Sequence, residues 1–181
     1  PNMAQVPASY SPYGGECRSC WITPKDYKLV GVDASGLELR MLAHYMNDAD
    51  YTNEVIHGDI HTANMKAAGL TDRDQAKTFI YAFLYGAGDV KCGSIVGGSK
   101  KEGARLKEKF LSNTPALRQL REKVELSSQR GYLKGIDGRT LWVRSPRSAL
   151  NLIMQSAGII HMKMAISMLD EFLTGAGLVQ A

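Results

Sequence analysis

The chain has 181 residues and a mass of 19.8 kDa, with 44% hydrophobic residues and 22 Lys and Arg against 18 Asp and Glu for a net charge of +4. That length holds one sizeable core or two small ones and so permits an enzyme. No stretch approaches the roughly 20 consecutive apolar residues of a membrane span, no secretory leader opens the chain, and an odd number of cysteines argues against a disulfide framework, so a soluble, cytoplasmic protein with no membrane partner is expected.

Residues 1 to 27 are rich in Pro, Gly, Ser and Tyr and carry no helical period, which predicts an extended connecting segment. Cys17 and Cys20 form a C-x-x-C there. A structural zinc needs four ligands and no second pair follows at a suitable distance, so two ordinary thiols are the better account. Lys28 to Val32 is a short apolar run ending on Asp33 and predicts a strand. From Leu37 the pattern turns helical, with Leu37, Met41, Leu42, Tyr45 and Met46 on one stripe until Asn47, Asp48 and Asp50 stop it. A short helix follows Asp59 and ends at Gly69. Thr71 and Asp74 have capping-box spacing and open a helix from Asp72 to about Tyr85, stopped by Gly86-Ala-Gly88.

Two further helices are expected in the middle of the chain, one after Ser99 and one with Thr114 as N-cap and Pro115 in its first turn, ending near Gly131. This region is basic: from Val90 to Lys134 there are eleven Lys or Arg against four Glu, a local net of +7 that suits a polyanion or, equally, solvated helix faces. Ile136-Asp-Gly-Arg139 between two apolar pairs signals a hairpin, and a long apolar helix is expected after Pro146, to about Thr174. The methionines at 154, 162, 164 and 168 are expected to pack in the core. Pro1 in place of Met and the apolar, helix-like last residues suggest a piece of a longer chain.

The helix from Asp72 to Tyr85 carries the most chemistry. At 100° per residue, Arg73, Lys77, Tyr81 and Tyr85 follow one drifting stripe, while Ala76, Phe79, Ile80 and Phe83 gather on a face roughly 130° away. One face is core and the other cationic and aromatic. Taken alone, two cations four residues apart also describe an ordinary solvated face.

The stretch Arg73-Asp-Gln-Ala-Lys77-Thr-Phe-Ile-Tyr81-Ala-Phe-Leu-Tyr85-Gly86 resembles motif B of the family A DNA polymerases, and Gly31-Val-Asp33-Ala-Ser-Gly-Leu-Glu38-Leu-Arg40 resembles motif A in the wording of the phage replicative branch. The resemblance extends from Pro1-Asn-Met-Ala-Gln5, through Gly58-Asp-Ile-His-Thr62 and Lys134-Gly-x-Asp-Gly-Arg139, to Asn151-x-x-x-Gln155-Ser-Ala-Gly158. It implies an α-rich α/β fold, a right-hand polymerase fragment with palm and motif A at 1 to 47, helical fingers with motif B at 48 to 130, and a palm hairpin and long helix at 131 to 181.

The activity so implied is template-directed DNA synthesis, in which deoxynucleoside triphosphates extend the 3′ end of a DNA primer, in a bacterial cytoplasm and with a phage-related parent. By the resemblance, Asp33 is one of the two aspartates that bridge two Mg²⁺ ions in the intact parent and the backbone carbonyl of Ala34 is a further ligand, oxygen donors of the kind hard cations take. Arg73, Lys77 and His61 contact the phosphates, Tyr81 packs on the sugar, Glu38 excludes a 2′ hydroxyl, Tyr85 lies below the templating pair, and Gln155 reads the minor groove. His57 and His61 stand four apart but are separated by Gly58 and lack a third ligand, which disfavours a metal pair. The glycines near 86 and 97 have no P-loop or dinucleotide spacing.

The family's motif C, the His-Asp-Glu that supplies a second metal aspartate, does not occur, and Asp170-Glu171 sits in the long helix instead. The 181 residues alone are therefore expected to be inactive. A single-subunit RNA polymerase and a non-catalytic nucleic-acid-binding remnant are the rival readings; Glu38 argues for deoxynucleotides against the first. A processivity partner is not legible.

Overall fold

The computed structural model describes residues 6–178 and divides the chain into two units, Pro1–Ser35 and Gly36–Ala181. In the first, a short helix α1 (Gly14–Ser19) interrupts the segment expected to be extended. Tyr13 precedes it in the left-handed region at φ 60°, and Arg18 Nε donates to the Pro7 carbonyl at 2.8 Å. The strand expected at Lys28 to Val32 does not form. A strand needs a neighbour to satisfy its N–H and C=O groups. Among the described residues none pairs with this run, and Leu29, Val30 and Val32 are each 79% exposed.

The second unit runs through α2 (Leu37–Met46), α3 (Ala49–His57), α4 (Ile60–Ala68), α5 (Arg73–Leu84), α6 (Asp89–Ile95), α7 (Lys100–Asn113), α8 (Pro115–Ser128), β1 (Tyr132–Lys134), β2 (Thr140–Trp142), a 3-10 turn at Pro146–Ser148, and α9 (Ala149–Gly175). Asn47 ends α2 in the left-handed region at φ 50°. Asp48, expected only to break a helix, begins α3 by accepting from Tyr51 N at 2.8 Å. The cap of α5 is Asp72, which accepts from Asp74 N and Gln75 N, and not the Thr71 box. A carboxylate one residue later reaches the first free N–H groups directly. Ser99 and Glu102 form a reciprocal capping box on α7. Thr114 takes the expected N-cap position of α8, but its hydroxyl donates back to Phe110 O at 2.7 Å.

The core forms where these helices meet. Leu39 and Leu42 of α2, Phe79, Ile80 and Leu84 of α5, Phe110 of α7, Leu117 of α8 and Met154 of α9 are buried together. Phe110 meets Phe79 and Phe83 edge-on, with ring centroids 5.7 and 5.5 Å apart. The hairpin pairs Tyr132 with Trp142 and Lys134 with Thr140, and Gly138 takes φ 80° in its turn. The first turns of α9 are core and bury Met154 as expected of the methionines, Met162 is half-buried, and Met164 and Met168 are exposed. The segment Pro146–Gly175 is also long and apolar enough to cross a membrane by length and composition, at a mean hydropathy of 1.3, which corrects the expectation that no stretch approaches such a span. Its first half, buried against α2 and α8, is accounted for as a core helix.

Candidate active site

Asp59 caps α4, accepting from His61 N at 3.1 Å, Thr62 N at 3.4 Å and Thr62 Oγ1 at 2.7 Å. The same carboxylate receives the guanidinium of Arg73, the first residue of α5, through Nε and Nη2, each at 2.9 Å. The N-termini of α4 and α5 are thereby tied together. From Arg73 the four-residue spacing carries Lys77, Tyr81 and Tyr85 along one stripe, each about 6 Å further on. Arg73, Lys77 and Tyr85 are exposed and Tyr81 is half-buried. The Tyr81 ring stands 6.3 Å from His61 and 6.4 Å from Tyr85. At the far end Tyr85 OH donates to Glu38 Oε1 at 3.2 Å and interacts with the Gln155 side chain. Beside them opens a cavity of about 180 Å³, lined by Glu38, Gln155, Met154 and Gly158 among others.

The fold thus brings Glu38, His61, Arg73, Lys77, Tyr81, Tyr85 and Gln155 onto one surface from four helices: α2, α4, α5 with its C-cap, and α9. Asp33 and Ala34 belong to the first unit, in a segment without regular structure, Asp33 exposed. A carboxylate and a carbonyl are suitable donors to a hard cation. Among the described residues, however, no group of three or more His, Cys, Asp or Glu assembles that could hold a metal ion, so these donors do not complete a site. His57 and His61 fall on different helices, which removes the metal pair.

Charge along the stripe is graded. Bonding to Arg73, then to Thr62, holds the Asp59 carboxyl well below the usual carboxylate range. Burial, reinforced by Arg73 and Lys77, lowers the His61 imidazole, and its Nδ1 is buried without a hydrogen-bond partner. Burial and the Glu38 carboxylate raise both Tyr81 and Tyr85, keeping the phenols neutral. Beyond Tyr85 a second cavity of about 400 Å³ is lined by Lys100, Lys107, Arg121 and Arg147. Lys107 is committed there to Asp89 at 2.8 Å, and Arg121 lies 5.5 Å from the Phe83 ring. Asp59 escaped the sequence reading as a site residue. Its signal was the capping position before α4, which says nothing of a partner 14 residues away.

The description of DNA polymerase family A matches residues 1–180. The DNA-directed DNA polymerases of Enterobacteria phage T3 and Escherichia phage T7 are each 48% identical over 204 residues, alignments that take in 98% of this chain and 29% of theirs. The thermostable DNA polymerase I of Thermus aquaticus is 27% identical over 92% of this chain and 22% of its own length. Among solved structures, the POL domain of Pol1 from M. smegmatis, in complex with DNA primer-template and dNTP, matches with a TM-score of 0.82 at 21% identity, over 99% of this chain and 36% of that one. The chain spans about 29% of the phage relatives' length. With the match running through nearly every residue, and the motif A and motif B residues of the second unit gathered on one surface, the chain belongs to DNA polymerase family A.

Proposed function

We propose that the polymerase to which these residues belong extends a DNA primer on a template with deoxynucleoside triphosphates, and that the outer face of α5 holds the incoming nucleotide. The observation that carries this is the continuous row of Arg73, Lys77, Tyr81 and Tyr85, flanked by His61 at one end and by Glu38 and Gln155 at the other. Its cationic end suits a triphosphate, its aromatic middle a sugar, and its amide-bearing end a base pair. The two cations offset charge gathered on the phosphates as the α-phosphate is attacked. An unpartnered buried nitrogen on His61 favours a ligand that brings a hydrogen-bonding group to it. In this reading the Tyr81 ring packs on the sugar and the Glu38 carboxylate excludes a 2′ hydroxyl, a role supported by its fixed orientation as it accepts from the Tyr85 hydroxyl. Gln155 offers its amide to the minor-groove acceptors of the terminal pair.

Primer-template DNA and dNTP are what the M. smegmatis relative was solved with, and the same partners are proposed here. Two Mg²⁺ ions are proposed as cofactors, Asp33 and the Ala34 carbonyl supplying part of their ligands; when bound, such ions stabilise the attacking and leaving oxygens. The palm and fingers assignment of 1 to 47, 48 to 130 and 131 to 181 is part of the same reading, as is a phage-related parent in a bacterial cytoplasm. Pre-steady-state single-nucleotide incorporation by the full-length polymerase tests it. Replacing Lys77 by Ala should lower kcat/KM for dNTP on the order of 10²-fold, the scale for loss of one preorganised electrostatic group, while primer-template affinity holds. Weakened DNA binding with intact nucleotide kinetics would assign this face to DNA.

A further inference from the structure

We infer that Asp59 is a positioning residue for the triphosphate, acting through Arg73. The inference rests on the reading of α5 given above. An arginine in the first turn of a helix has many rotamers, and a triphosphate gains most from a cation already aimed. Asp59 supplies that aim. Its two oxygens take Nε and Nη2 of Arg73 at 2.9 Å each, the planar fork that fixes both distance and plane. Of the five N–H donors of a guanidinium, two are engaged in this fork and the others remain outside it, so a phosphate is met by the Nη1 end rather than by the Nε edge.

The carboxylate is itself immobilised. It accepts from His61 N, Thr62 N and Thr62 Oγ1, all from the first turn of α4. One side chain therefore registers Arg73 against the helix that carries His61, and two of the three groups assigned to the phosphates are fixed relative to each other. The fork is half exposed, with side-chain exposures of 49% for Arg73 and 47% for Asp59, so it orients more than it stabilises. A plain capping role would explain the α4 contacts but not the fork.

The two roles separate by substitution, because Asn caps a helix about as well as Asp yet cannot receive both arms of the fork as a carboxylate does. In the full-length polymerase, Asp59→Asn should raise KM for dNTP on the order of tenfold, within what misplacement of an aligned group costs, with kcat and primer-template Kd changed far less. In an Arg73→Ala background the same substitution should add almost nothing. Capping alone predicts the reverse pattern: Asp59→Asn silent and Asp59→Ala harmful through a lowered melting temperature. A silent Asp59→Asn beside a damaging Arg73→Ala, or equal effects of Asp59→Asn in both backgrounds, overturns the positioning role alone. Unchanged dNTP kinetics in Arg73→Ala overturns the reading of the α5 face as well.

Discussion

His61 is the site's most pH-responsive side chain. Burial, Arg73 and Lys77 place its folded pKa below the ordinary 6.5, so at neutral pH the imidazole is uncharged. Between the folded value and 6.5 the unfolded chain binds more protons, so stability rises with pH; this contribution is complete above 6.5 and is lost as pH falls through the folded value. A bound triphosphate reverses the balance, because its negative charge offsets Arg73 and Lys77 and favours imidazolium. Nucleotide binding near pH 6.5 should therefore take up protons, and His61→Gln should remove most of that uptake. Calorimetry in two buffers of different ionisation enthalpy measures it, and equal uptake by both proteins would remove His61 from the phosphates. At this scale the sequence was legible where contacts repeat along one helix: the row from Arg73 to Tyr85 follows from its four-residue period. The bond from Tyr85 to Glu38, 47 residues away, and the Asp59 fork join separate helices, and no local pattern announces them.

Among the elements, those with a strong period or a full cap agree with expectation, as α2, α5, α7, the hairpin and α9 do. Three helices, α1, α3 and α6, were missed; they are short, and α3 opens at an acidic residue that reads equally well as a stop or a cap. The run Lys28 to Val32 has strand composition, but composition supplies no pairing partner. The packing of α6 on α7 leaves no room at Gly103, where a Cβ would overlap the Asp89 carbonyl oxygen and the Gly93 nitrogen, both backbone. Gly103→Ala should accordingly destabilise the fold by about 1–3 kcal/mol, the cost of overpacking, although alanine is the better helix former by nearly 1 kcal/mol. Urea denaturation tests this directly. A stabilised variant would mean that α6 and α7 move apart freely enough to admit the methyl group.

For the whole molecule, Asp33 and the Ala34 carbonyl are the metal ligands proposed above, and the chain spans 29% of the phage relatives' length. One carboxylate and one carbonyl cannot by themselves place two ions on the attacking and leaving oxygens. Residues 1–181 should still bind DNA weakly through the cations of the basic region, with an affinity that falls as salt rises. The central claim, that this chain carries the nucleotide site of a template-directed DNA polymerase, is tested most directly by single-nucleotide primer extension against each template base, with dNTPs and NTPs in competition. The full-length polymerase should add only the complementary deoxynucleotide with Mg²⁺, lose activity on Asp33→Ala and accept more ribonucleotide on Glu38→Ala, while residues 1–181 alone add none. Addition that ignores the template, survives Asp33→Ala, or proceeds with the 181 residues alone would contradict the account.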